Sequence, residues 1–381
     1  MVVRASVKMA SPPVGTPDPH APSAALAEAA SLLENRPEAA LAQAEAILKR
    51  APGLPPAEFL ACQALRKLGK PAAALPRLTA LVRSQPRVPA ILWELAQAAS
   101  EAGQTRDAIA ALENLTKNQP AVANGWFLLA KELRKAGRAE DAWRADLSGV
   151  HASSRDPELL KAAVAMNEDR LDDSAPLLEA RLHRLPNDPA GCRLLGEVNW
   201  RRGDMTEAMT WVERALELAP GFDLARDFLV RLLLQNNRLT EALEHAETLG
   251  MSPVKSPGHD LIKASVLVRL GHQEEAEQLY QHLLAQNPDQ PQVWQNLGHV
   301  LKTLGKQAEA VHAYRQAVTY KPSMGEAWWS LANLKTVKLG PDDMATIKQA
   351  LSDLELETET RQEDIFHLHF SLGKALEDAK D

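Results

Sequence analysis

The chain has 381 residues, 45% of them hydrophobic and only 4% aromatic. Strong helix formers dominate, and the β-branched and aromatic residues that build sheets are sparse, which excludes an all-β fold. Its net charge of −7 argues against a protein whose main task is to coat nucleic acid or an anionic membrane.

In chain order, residues 1–23 come first, with Pro12, Pro13, Pro17, Pro19 and Pro22 among Ser, Thr and Gly. Such a stretch buries too little apolar surface to offset its ordering entropy and is expected to be a disordered leader. It lacks the apolar block of a signal peptide. The greasiest run, 228–234, is interrupted by Arg231, so no membrane span is expected. Cys62 and Cys192 cannot make a disulfide framework, and a reducing cytoplasm is the simplest compartment for them.

From there to Pro322 one phrase returns: a turn residue, a few polar residues, then alanine. The alanines stand at 40, 74, 108, 142, 175, 208, 242, 276 and 310, in steps of 33 or 34. The turn residue is usually glycine, as at Gly69, Gly103 and Gly137; Asn35 and Asn237 take its place twice. Glycine and asparagine both tolerate the left-handed backbone that ends a helix. Twelve residues past the alanine lies a proline, as at Pro52, Pro86, Pro120, Pro220, Pro288 and Pro322, where a helix has to stop. Each unit therefore reads as helix, tight turn, helix, proline. Small residues, including Ala130, Gly196, Ala264, Gly298 and Ala332, mark where the two helices of a unit approach closely.

The best copy runs Trp294-x2-Leu297-Gly298-x2-Leu301, Ala310-x3-Tyr314, Pro322. In period and signature it resembles the tetratricopeptide repeat. That resemblance implies an all-α fold, a right-handed superhelical solenoid of about nine to ten helix-turn-helix repeats over 24–322. Between Trp143 and Asn167 the pattern weakens. Asp146 and Gly149 take normally apolar positions, no proline falls in phase, and the turn at Arg170-Leu171 has no glycine. This reads either as a weakened joint between two halves or as drift within one unit.

No catalytic residue emerges: phosphate-loop, dinucleotide and H-E-x-x-H patterns are all missing from the sequence. His367 and His369, two apart on a helix, point to different faces and cannot share one metal ion. No metal site is expected. Lys255-Ser256-Pro257-Gly258 reads as a linker between helices. The two cysteines read as small core residues.

In stacked tetratricopeptide units the first helices line a groove, and the residue fifteen before each alanine should face it. It is Phe59, Trp93 and Phe127 in three successive units, with Gln63, Arg66, Gln97, Lys131 and Arg134 one or two turns on. These residues form a candidate peptide-binding groove for a protein segment, with acidic groups near Lys131 and Arg134. The alternative is that the aromatics only pack one first helix on the next. The Lys/Asn clamp of chaperone-tail binders has no match here, and of the asparagine ladder of glycosyltransferase relatives only Asn296 matches, so that ladder is absent too.

The last segment, 323–381, reads as junction helices ending in an incomplete repeat, with Trp328, Trp329 and Asn333 as its marked residues. The phrases Gly325–Lys335 and His367–Asp378 resemble the junction of bacterial tetratricopeptide–sulfotransferase fusion proteins. That resemblance implies a parent whose sulfotransferase domain follows the array and uses PAPS (3′-phosphoadenosine 5′-phosphosulfate). The family's phosphosulfate loop is not in these residues, so this chain is expected to bind no cofactor unless such a domain follows it. Gly373 is in phase with Gly298, so Leu372 and Leu376 are expected to lack a second-helix partner.

Overall fold

A computed structural model describes residues 21–334, 336–355 and 362–379. The leader expected over 1–23 lies outside them except for its last three residues. Among the described residues there are twenty-one α-helices and no strand. The chain divides into two compact units, 1–156 and 157–381. The division falls inside the segment where the repeat pattern weakens.

Unit one holds α1 (Ala21–Leu32), α2 (Pro37–Arg50), α3 (Pro55–Lys67), α4 (Pro71–Ser84), α5 (Pro89–Glu101), α6 (Thr105–Asn118), α7 (Ala123–Lys135) and α8 (Ala139–Ser154). Unit two opens with α9 (Pro157–Asn167), α10 (Leu171–Arg184), α11 (Pro189–Arg201), α12 (Met205–Leu218), α13 (Asp223–Gln235) and α14 (Leu239–Gly250). It continues through α15 (Pro257–Leu270), α16 (Gln273–Gln286), α17 (Pro291–Thr303), α18 (Gln307–Tyr320), α19 (Gly325–Ala332), α20 (Pro341–Glu355) and α21 (Gln362–Asp378). Within each unit successive helices pack as hairpins, α3 on α4 or α17 on α18, and each hairpin packs on the next.

The punctuation of the sequence becomes the punctuation of the fold. Helices α2, α4, α6, α12, α16 and α18 each stop two residues before the in-phase proline. Turn glycines from Gly69 to Gly305 adopt positive φ, and Asn237 does the same at φ 57°. Where the sequence offers no glycine before α10, Asp169 takes that conformation at φ 58°. A short polar side chain is among the few that tolerate it. Asn35 is not among the positive-φ residues, so the first turn is built differently.

The nine repeat alanines are all buried. At Gly298 a Cβ would lie 2.5 Å from the Tyr314 ring, and at Gly196 it would lie 2.6 Å from Val212. Only a residue without a side chain lets those helix pairs close to contact. The signature tryptophans have a further role: the Trp126, Trp294 and Trp328 indoles donate to the carbonyls of Pro120, Pro288 and Pro322 at 2.8–2.9 Å. Arg226 stands at the same register position and donates to the Pro220 carbonyl at 2.6 Å. A guanidinium thus substitutes for an indole in closing that unit.

At the end of unit two, α19 packs against α21 with α20 alongside. A Cβ at Gly325 would sit 2.3 Å from the Asp364 carbonyl oxygen, and the Asp364 carboxylate accepts from the Gly325 amide at 3.0 Å. Leu368 and Ala375 of α21 are fully buried in the same core as Trp328. Leu372 is partly buried against that core, so it does have a packing surface, whereas Leu376 is exposed.

Candidate functional site

The groove candidates lie in unit one, on three successive first helices. Phe59 on α3, Trp93 on α5 and Phe127 on α7 are all half-buried, and Phe59 and Trp93 pack at the edge of the core. Phe127 has its ring over Gly149 of α8: a Cβ there would lie 2.6 Å from Phe127 Cε1. The ladder is therefore also a packing device. One turn on, Gln63, Gln97 and Lys131 form a second ladder in the same 34-residue register. Among the described residues none of these three makes a side-chain hydrogen bond or ion pair within the chain. Lys131 is exposed, and the two amides are half-buried.

The two arginines expected beside them are already committed. Arg66 donates to Glu94 at 2.6 Å and to Glu101 at 3.0 Å. Arg134 donates to the wholly buried Asp146 carboxylate at 2.7 Å. A carboxylate shut away from water needs such a partner, which accounts for Asp146 at a normally apolar position. So of Lys131 and Arg134, the lysine alone is a cation without an intramolecular counter-charge. The sequence could not separate them, because their partners arrive from neighbouring helices.

In unit two the junction residues divide by role. Trp328 is buried and holds Pro322, and Asn333 donates to the Trp329 carbonyl of its own helix at 3.0 Å. Trp329 is 37% exposed, with its ring 5.6 Å from that of His367. A second polar cluster lies nearby. Tyr314, fully buried, pairs its hydroxyl with His299 Nδ1 at 2.9 Å, and Gln295 donates to Glu326 at 2.6 Å. Burial pushes the Tyr314 hydroxyl up to about 12. It stays protonated as a hydrogen-bonding core residue.

Both thiols are buried, and burial pushes Cys62 and Cys192 up to about 12. A thiol held that high is not a nucleophile at neutral pH. Lys255 and Ser256 are used locally: the ammonium donates to the Gly250 carbonyl, and the hydroxyl caps α15 through the Gly258 amide. Among the described residues no three His, Cys, Asp or Glu side chains cluster as metal ligands. No described helix is long and apolar enough to cross a membrane.

The fold defines an all-helical repeat protein. Tetratricopeptide-repeat family models match residues 65–132 and 159–221, and the model of the Psidin N-terminal TPR repeats region matches 232–333. The chain carries tetratricopeptide repeats. No curated protein matches the sequence. Several solved structures are similar to it. MamA 41-end from Desulfovibrio magneticus RS-1 is 16% identical, with 44% of this chain and 94% of that one covered at a TM-score of 0.41. A thermophilic TPR protein of Thermus thermophilus is 20% identical, with coverage of 56% and 99% and a TM-score of 0.33. The APC/C hetero-tetramer Cut9–Hcn1 is 12% identical, with coverage of 91% and 95% and a TM-score of 0.45.

Proposed function

We propose that this tetratricopeptide-repeat scaffold binds an extended protein segment on the first-helix face of unit one. The observation that carries the reading is the pair of parallel ladders. Phe59, Trp93 and Phe127 offer apolar surface, and Gln63, Gln97 and Lys131 offer polar groups with no side-chain partner among the described residues. A side-chain amide can both donate to and accept from a peptide unit, so Gln63 and Gln97 suit the main chain of an extended ligand. Lys131 suits an acidic side chain at one end. Arg66 and Arg134 shape the face and do not read the ligand, since their carboxylate partners are internal.

Selection from a random linear-peptide library tests this. Wild type should enrich peptides carrying an acidic residue at one end, and a Gln63→Ala, Gln97→Ala, Lys131→Ala triple variant should bind them at least tenfold more weakly with an unchanged helical circular dichroism spectrum. Equal binding by the triple variant would contradict the proposal.

A second reading rests on the junction. The phrases that resemble bacterial sulfotransferase fusions lie on α19 and α21, which are closed together through Gly325 and Asp364 as one element. On that basis we propose that the chain serves as the arm of a cytoplasmic, sulfotransferase-like parent, presenting an acceptor to it. The protein taken from its native source would then be larger than 381 residues account for and would transfer sulfate from PAPS. A native mass equal to this chain's would overturn that reading and leave a self-standing adaptor.

A further inference from the structure

Unit two has a cleft of about 690 Å³ on its second-helix face, between α10 and α12, with Leu182, Leu195 and Trp211 among its lining residues. Trp211 is half-buried, and its indole N–H makes no hydrogen bond among the described residues. The signature indoles of Trp126, Trp294 and Trp328, on first helices, close onto proline carbonyls. Trp211 presents an apolar ring and a free donor to a concave surface.

The walls are acidic. Glu179, Glu207, Glu213 and Glu217 line the cleft against a single arginine, Arg214, which is held by Glu217 at 2.8 Å and by Asn187 at 3.3 Å. Glu213 lies in the field of Arg238. Glu179 and Glu207 have no cation of the chain within ion-pair distance among the described residues. Both are exposed.

The chain itself shows what such a surface takes. Trp211 stands three residues past the repeat alanine Ala208, and the residue three past Ala74 is Arg77. Arg77 spans to Glu45 of the preceding second helix at 2.5 Å and to Glu58 at 2.6 Å. In unit one, then, the chain supplies its own guanidinium to the space between successive second helices. In unit two an indole occupies that register position and the preceding second helix contributes Glu179, with no internal guanidinium for it. A planar guanidinium stacks on an indole face and bonds carboxylates through its fork of donors, which an ammonium does less well.

We propose that the Trp211 cleft is a docking site for an arginine-bearing segment of a protein partner. The guanidinium lies on the Trp211 ring, and Glu179 and Glu207 are its counter-charges. This surface is separate from the Gln63–Gln97–Lys131 face, so either can fail alone.

The test follows the Trp211 indole N–H among the eight tryptophan indole signals in a 15N–1H spectrum of the full chain, assigned by its loss in Trp211→Phe. The probes are the blocked peptide Ac-Gly-Arg-Gly-Arg-Gly-NH2 and its lysine and citrulline counterparts. The arginine peptide should shift the signal saturably. The neutral citrulline peptide should bind at least tenfold more weakly, and the lysine peptide severalfold more weakly. Glu179→Gln with Glu207→Gln, two exposed sites whose change leaves the core intact, should weaken the arginine peptide tenfold. The Gln63→Ala, Gln97→Ala, Lys131→Ala variant should leave this titration unchanged. A signal that does not move, equal binding of citrulline, equal binding of lysine, or indifference to the double substitution would each overturn the assignment.

Discussion

The ring of Phe127 fills the space that Gly149 leaves open on α8: a Cβ at 149 would lie 2.6 Å from Phe127 Cε1. An aromatic on the candidate binding ladder is thus seated by a glycine twenty-two residues later, at a position that ordinarily carries an apolar side chain. Gly149→Ala should destabilise the protein by roughly 1–3 kcal/mol through overpacking. In a Phe127→Ala background the same change should become neutral or stabilising, since alanine exceeds glycine in helix propensity by about 1 kcal/mol. Urea unfolding of the four variants measures this cycle, and an additive result would mean the two residues are not coupled.

Arg134 and Asp146 make the second coupling between α7 and α8. Removing the guanidinium takes a charged hydrogen bond from a carboxylate with no exposed surface. Arg134→Met should therefore cost roughly 1–3 kcal/mol of stability. If Arg134 instead served a partner, its loss would leave the unfolding midpoint where it was and weaken binding alone.

Two histidines make stability fall on the acid side. Burial, with Arg226 beside it, holds His245 below its ordinary value of 6.5, and burial lowers His299 despite Glu326 nearby. Arg226 donates toward His245 Nδ1 across 3.0 Å, which requires the neutral ring. Because the folded state resists a proton that the unfolded state accepts, the contribution is fully present above about pH 6.5 and is lost as the pH drops from there toward the lowered folded-state value. His245→Gln should flatten the fall of the thermal midpoint between neutral pH and about pH 5. An identical slope in wild type and variant would contradict the shift.

The thiols give a separate readout. With Cys62 and Cys192 buried and held near 12, a disulfide reagent at about pH 8 should label neither in the native protein and both in denaturant. Rapid native labelling would mean that the surrounding helix pairs open readily.

Much of this architecture is legible along the chain because its determinants are local. The turn residues, the in-phase prolines and the small residues at 196 and 298 each act within one hairpin, so their spacing alone announces it. What the sequence could not announce is which charges are spent. Arg66 finds Glu94 twenty-eight residues away on the next first helix, and Arg134 finds Asp146 across its own hairpin. Arg66 and Lys131 therefore look equivalent as text although only the lysine is unpaired. The turn at Asp169 was hidden because its left-handed residue is neither glycine nor asparagine. The Trp211 cleft did leave a signal: a tryptophan three past the alanine, where other units carry residues such as Gln43, Ala111 and Leu279. The pairing of α19 with α21 comes from the close approach at Gly325, which no repeat period foretells.

The central claim is that an extended segment lies along Gln63, Gln97 and Lys131. The most direct test places a photo-crosslinking amino acid at each of the three positions in turn and maps where it attaches to a peptide enriched by the wild-type protein. Attachment is expected at three successive points in one direction along the peptide, with the point nearest residue 131 beside its acidic end. Attachment at one common point, or at none from any of the three positions, would contradict it.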